Sequence, residues 1–183
     1  MRTALLLSLT LISCAARAEL KTLLVPTAAD GEVSVVVDTE RRLPVGASDE
    51  RATVTDASLT FPPKNPGDPL QITWRYSIHF SSDVKVSAVL IENERDKELE
   101  TVVQDANPQL INSTWVGQEA PKELTKEMFA AMNSNDVWML LRRITVEYED
   151  GKSSKLHQLI IESPVQRRNL LNKLWNQLQP QAK

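Results

Sequence analysis

The clearest pattern in the chain runs from Gln71 to Phe80. Ile72, Trp74, Tyr76, Ile78 and Phe80 alternate there with Thr73, Arg75, Ser77 and His79. Side chains of an extended strand point to opposite faces in turn. A period of two therefore gives one apolar, aromatic face and one wet face. Ser81-Ser82-Asp83 is turn-like. Val84, Val86, Ala88 and Leu90 then read as a second strand returning antiparallel to the first. Further strands are predicted at Val33 to Val37, Ala52 to Phe61, Leu99 to Val103 and Ile111 to Val116. Val137 to Tyr148 and Lys155 to Glu162 flank Glu149-Asp150-Gly151-Lys152. Asp-Gly between two apolar runs is a strong hairpin signal.

About eight short strands with turns between them predict a mainly β protein, an antiparallel immunoglobulin-like β-sandwich. Strand and helix do not alternate regularly, which argues against a nucleotide-binding α/β fold. The four prolines of Pro62 to Pro69 stiffen a loop ahead of the aromatic strand and suit a connector between two sheets.

Two helices interrupt the strands. The first is predicted over Pro121 to Met132, with proline in the first turn. The second closes the chain from Pro164 to about Leu178. Ser163 and Gln166 have the spacing of a capping box. Leu170, Leu171, Leu174, Trp175 and Leu178 fall within one arc of this helix, opposite Asn169, Asn172 and Asn176. Arg167 lies inside the apolar arc, where it must reach out to water or face something polar. Arg167, Leu171, Trp175 and Leu178 are therefore the first candidate interaction surface.

The N-terminus says where the chain works. Arg2, the apolar run Ala4 to Ile12 and the small-x-small triplet Ala16-Arg17-Ala18 have the form of a secretory signal peptide. The run is too short to cross a bilayer. Two processing routes compete. Cleavage after Ala18 releases a soluble protein beginning at Glu19. Alternatively, Leu11-Ile12-Ser13-Cys14 acts as a lipobox, and an acylated Cys14 becomes the first mature residue. The soluble route comes first, because Cys14 lies early and strand-like sequence follows soon after it. The expected organisation is a signal over residues 1–18 (or a lipoprotein signal ending before Cys14), a sandwich domain over 19–163, and a helix over 164–183 packed on or extending that domain.

Cys14 is the one cysteine in the chain. An exported protein cut after Ala18 would hold together without disulfides, which favours a bacterial periplasm over a eukaryotic exterior. Removing residues 1–18 takes two arginines away, leaving 19 basic residues against 24 acidic ones and a net charge of −5. Nucleic acid is an unsuitable partner for such a chain, since phosphate binding needs concentrated Lys and Arg.

Chemistry is sparse. His79 and His157 lie on different strands without closely spaced metal ligands, so both read as structural. No nucleophile elbow or His-Glu-x-x-His motif occurs, and no glycine-rich phosphate loop. No cofactor or metal is expected. Glu92, Glu94, Asp96, Glu98 and Glu100 recur at every second residue, in phase with Val86, Ala88 and Leu90. They cannot continue a buried face, so the chain is expected to leave the sheet or bulge near Ile91. A solvated hairpin tip accounts for most of this run, and Glu94 and Asp96 form a second candidate docking edge.

The expected function is that of an exported periplasmic protein without enzymatic activity, acting through another protein of the envelope or a secreted one. Inhibitor, immunity protein, adaptor and accessory subunit all fit. The alternatives are a small-ligand or lipid carrier, with Trp74, Tyr76, Trp115 and Trp138 lining a cavity, and a hydrolase whose residues meet only in three dimensions.

Overall fold

The computed structural model describes residues 20–38, 47–60, 62, 65, 67–95, 98–132, 134–136, 138–162, 164–165 and 168–169. Eleven strands and one helix follow in chain order: β1 Leu20–Pro26, β2 Glu32–Asp38, β3 Ala52–Thr60, β4 Gln71–Phe80, β5 Val86–Arg95, β6 Glu98–Asp105, β7 Leu110–Ile111, β8 Thr114–Gln118, β9 Lys122–Glu123, α1 Lys126–Met132, β10 Trp138–Tyr148 and β11 Ser153–Glu162.

The strands are antiparallel throughout. One sheet has the order β11-β10-β5-β6, a second has β3-β4-β8-β7 with β9 on the start of β4, and β1 pairs with β2 alone. The two larger sheets bury their facing sides in one core. Ala52, Val54, Tyr76, Ile78, Phe80 and Trp115 come from one sheet. Val89, Ile91, Val103, Ile144, Val146, Tyr148 and Leu156 come from the other. Fully burying one large aliphatic or aromatic side chain contributes about 1.5–3 kcal/mol, so this shared layer stabilises the pairing of sheets. The protein is mainly β, with a sandwich-like arrangement of open sheets.

Most predicted strands are present, and β4 alternates as expected from Arg75 to Phe80: Tyr76, Ile78 and Phe80 are buried, while Arg75 and His79 are exposed. At its start Thr73 is buried and Ile72 and Trp74 are half-buried, against expectation. Asp150-Gly151 does form the tight turn between β10 and β11, with Gly151 at φ 77°.

Several expectations need correction. β4 and β5 do not pair; they belong to different sheets, and Ser81–Lys85 carries the chain across the sandwich. Asn112 and Ser113 take positive φ (50° and 57°), which folds the strand predicted over 111–116 into the hairpin β7–β8. Two successive positive φ values suit a tight two-residue turn. The proline-rich loop joins β3 to β4 within one sheet rather than bridging two sheets. The first helix begins at Lys126, and Pro121 lies outside it. The Met128 amide donates to Thr125 Oγ1 at 3.2 Å, a helix-start bond that proline cannot supply.

The reading of β5 changes most. Its core-facing residues are Val89 and Ile91, not Ala88 and Leu90. A bulge opposite Glu147/Tyr148 shifts the phase near Val86, and a second irregularity lies beside Ile91/Glu92. The strand continues through both to Arg95 instead of leaving the sheet. Alternation misled here because both faces of β5 are covered, one by the second sheet and the other by the β1–β2 hairpin.

The backbone is helical at 164–165 and 168–169, and the rest of the predicted terminal helix lies outside the described residues. Ser163, Gln166, Arg167, Leu171, Trp175 and Leu178 lie outside the described residues, as do Cys14 and Asp96.

Candidate functional site

Residues 27–31 form the turn between β1 and β2. The Thr27 amide and hydroxyl both donate to the Gly31 carbonyl, at 2.6 and 2.8 Å. The Asp30 amide donates to Thr27 Oγ1 at 2.9 Å, and Gly31 takes φ 73°. Only a residue without a Cβ adopts that conformation at little cost. The turn aims the Asp30 carboxylate at the outer face of the four-stranded sheet.

There the register of three strands assembles a charged row. Arg143 on β10 stands opposite Glu92 on β5 and His157 on β11. Arg143 Nε donates to Glu92 Oε2 at 2.8 Å, and its NH2 lies 2.6 Å from the same oxygen. Arg143 NH1 reaches Asp30 Oδ2 at 3.0 Å. Lys155 Nζ donates to Asp30 Oδ1 at 2.8 Å, and His157 Nε2 lies 3.2 Å from Asp30 Oδ2. The Ala28 amide donates to Glu94 Oε1 at 2.7 Å. One carboxylate at the hairpin tip thus meets three basic side chains from two strands.

The electrostatics follow from this crowding. The Asp30 side chain is only 9 % exposed. The Lys155 hydrogen bond lowers its carboxyl most; burial opposes this, and the Arg143 and His157 contacts add to the lowering, so the group sits well below the usual carboxylate range. Burial pulls the Arg143 guanidinium down, but Asp30 and Glu92 outweigh it and raise the group. Behind this polar row, Val35 packs with Leu141 and Leu159, flanked by Val25 and Val33.

The other side of the hairpin is open. Leu24 is 63 % exposed and Val36 42 %. Leu24 stands opposite Ser34, so Val36 is its diagonal neighbour on the same face. Among the described residues β1 pairs with β2 alone, which leaves its outer backbone edge without a ladder partner.

A second polar group lies inside the sandwich. Arg142 is fully buried, with its guanidinium carbon 4.7 Å from the ring centres of both Trp74 and Tyr76. The Tyr76 hydroxyl donates to Glu119 Oε1, and Thr73 Oγ1 donates to the Glu119 carbonyl at 2.6 Å. Burial pushes the Tyr76 phenol up; Arg142 opposes this and Glu119 adds to it. Cation–π stacking of this kind gains strength when it is desolvated. Tyr76 and Trp115 are buried, and Trp74 stacks on Arg142, so these three rings pack against the protein's own side chains.

The predicted site residues are therefore scattered. Glu94 is buried and bonded to this chain's own hairpin rather than exposed at an edge. Glu98 and Glu100 remain in solvent on β6. His79 is exposed, with Nδ1 3.2 Å from Thr114 Oγ1. Asp30 and Arg143 were not singled out from sequence. Asp30-Gly31 is the same turn dipeptide as Asp150-Gly151, and that signal was available to find the hairpin tip. Among the described residues, no three His, Cys, Asp or Glu side chains are placed to hold a metal ion, and no helix is long and apolar enough to cross a membrane. No family model, curated protein or solved structure matches this chain.

Proposed function

We propose that this chain is an exported periplasmic protein that binds another envelope or secreted protein and catalyses no reaction. The carrying observation is the β1–β2 hairpin. It offers Leu24 and Val36 on an open face, beside a backbone edge, while its tip is fixed to the sheet by Asp30. An extended partner segment adding to β1 would gain main-chain hydrogen bonds from that edge and selectivity from the apolar side chains. A rigidly held edge also loses little entropy on binding. The terminal segment with Arg167, Leu171, Trp175 and Leu178 is the second candidate contact, and acylation at Cys14 would place either surface close to a membrane.

Photocrosslinking in living cells tests this reading. A crosslinker at Leu24 is expected to give one discrete adduct with another protein, lost when Val36 is replaced by Ser. A single adduct at Leu171 or Trp175, with none at Leu24, would move the interface to the terminal segment. No protein adduct at any of these positions, with a small molecule retained in native mass spectrometry, would overturn the proposal in favour of a carrier.

A further inference from the structure

We infer that the β1–β2 hairpin is a strap that opens as a unit, with Asp30 as its catch, while the two-sheet sandwich beneath it stays folded. The inference rests on how the hairpin is attached and does not depend on the identity of any partner.

Seven register pairs hold β1 to β2. Among the described residues no strand ladder joins either of them to the larger sheets. Detachment therefore breaks side-chain contacts, the Ala28–Glu94 bond among them, while every described ladder of the sandwich survives. The apolar attachment is small. Among the described side chains Val35 is the one hairpin residue in the buried set of its cluster, with Val25 and Val33 only partly covered. The core between the large sheets draws on seven strands. A two-stranded hairpin on its own is marginal in water, so a released strap would also fray.

The polar attachment is concentrated on one atom group. Asp30 binds Arg143, Lys155 and His157, so one carboxylate at the hairpin tip is tied to two strands of the sheet. The arrangement is also asymmetric. If the Asp30 charge is removed, Arg143 keeps Glu92 at 2.6 Å, so the sheet is not left with an orphaned cation. Removing Arg143 instead would leave two buried carboxylates short of a partner, which is far more damaging. Asp30 can therefore be neutralised with the sandwich intact.

Native-state hydrogen exchange on the full exported chain tests this directly, comparing the wild type with Asp30→Asn and Lys155→Gln. In Asp30→Asn the amides of residues 20–38 are expected to exchange at least about tenfold faster, while those of β4, β5 and β10 keep their wild-type protection. Lys155 is 54 % exposed, so Lys155→Gln leaves folding unthreatened. It is expected to speed exchange of the same hairpin amides by a smaller factor, about two- to fivefold. Wild-type hairpin protection in both variants would overturn the catch. Loss of protection in step across hairpin and β10 would overturn the independent strap. If Asp30→Asn fails to fold, the hairpin belongs to the cooperative core and the inference fails.

Discussion

Gly117 lies on β8 two residues beyond Trp115, on the same face of the strand. A methyl group at Gly117 would sit 2.1 Å from Trp115 Cη2 and 2.2 Å from Cζ2. No pair of carbons tolerates that approach, so Gly117→Ala must swing the indole aside. Trp115 is buried, and its Nε1 donates to Asp105 Oδ2 at 2.9 Å. Overpacking of this kind costs about 1–3 kcal/mol. Losing a hydrogen bond to a charged acceptor adds about 1.5–3 kcal/mol. Relief from glycine's backbone entropy returns about 0.5–1 kcal/mol. The net loss is about 1.5–5.5 kcal/mol, a large part of the roughly 5–15 kcal/mol that holds a domain together. With a urea slope of about 2 kcal/mol/M, the unfolding midpoint falls by about 1–3 M. Circular dichroism is the right probe, because tryptophan emission changes for trivial reasons once the ring moves. The control is Trp115→Leu. With the indole gone, the same methyl should cost less than about 0.5 kcal/mol, giving a coupling of about 1 kcal/mol or more between the two sites. An equal cost in both backgrounds would refute the argument that the indole claims the space above Gly117.

Three further outcomes follow from the same geometry. Because the folded Asp30 carboxyl is lowered, the stability it contributes is complete above about pH 4 and is lost as pH falls below that value. The thermal stability deficit of Asp30→Asn should therefore be widest at about pH 5–7 and close toward about pH 2, and a deficit constant across that range would contradict an ionic catch. Tyr76 and Tyr148 are the two tyrosines of the chain, and burial raises both phenols. Their contribution is intact below about pH 10 and drains away above it, so ultraviolet titration should reveal tyrosinate only as the dichroism signal collapses; reversible ionisation in the folded protein would count against their burial. Ser113 occupies a left-handed turn position at φ 57°, and Ser113→Gly should stabilise the β7–β8 hairpin by about 0.5–1 kcal/mol, raising the midpoint of thermal unfolding; a lower midpoint would show that the turn does not strain serine.

The local pattern was a good guide wherever one face of a strand meets water. β4 shows this from Arg75 onward, where Arg75 and His79 are exposed while Tyr76, Ile78 and Phe80 enter the core. It was a poor guide where both faces are covered. Glu92 and Glu94 looked like a solvated row, yet both are buried, Glu94 bonded to the hairpin tip and Glu92 paired with Arg143. Nothing in the spacing of acids along β5 encodes the arrival of residues 28–30 from more than sixty positions upstream. Arg142 and Arg143 illustrate the same limit. They are adjacent and identical in type, but the strand sends one inward between Trp74 and Tyr76 and the other outward to Glu92 and Asp30.

Sequence alone determined the class of fold, because a period of two in apolar residues and an Asp-Gly turn are local consequences of backbone geometry. Only the tertiary structure decided which strands share a sheet, which carboxylates are buried and which charge holds the hairpin down. Those outcomes depend on register between distant strands, where a shift of one residue turns every side chain to the opposite face.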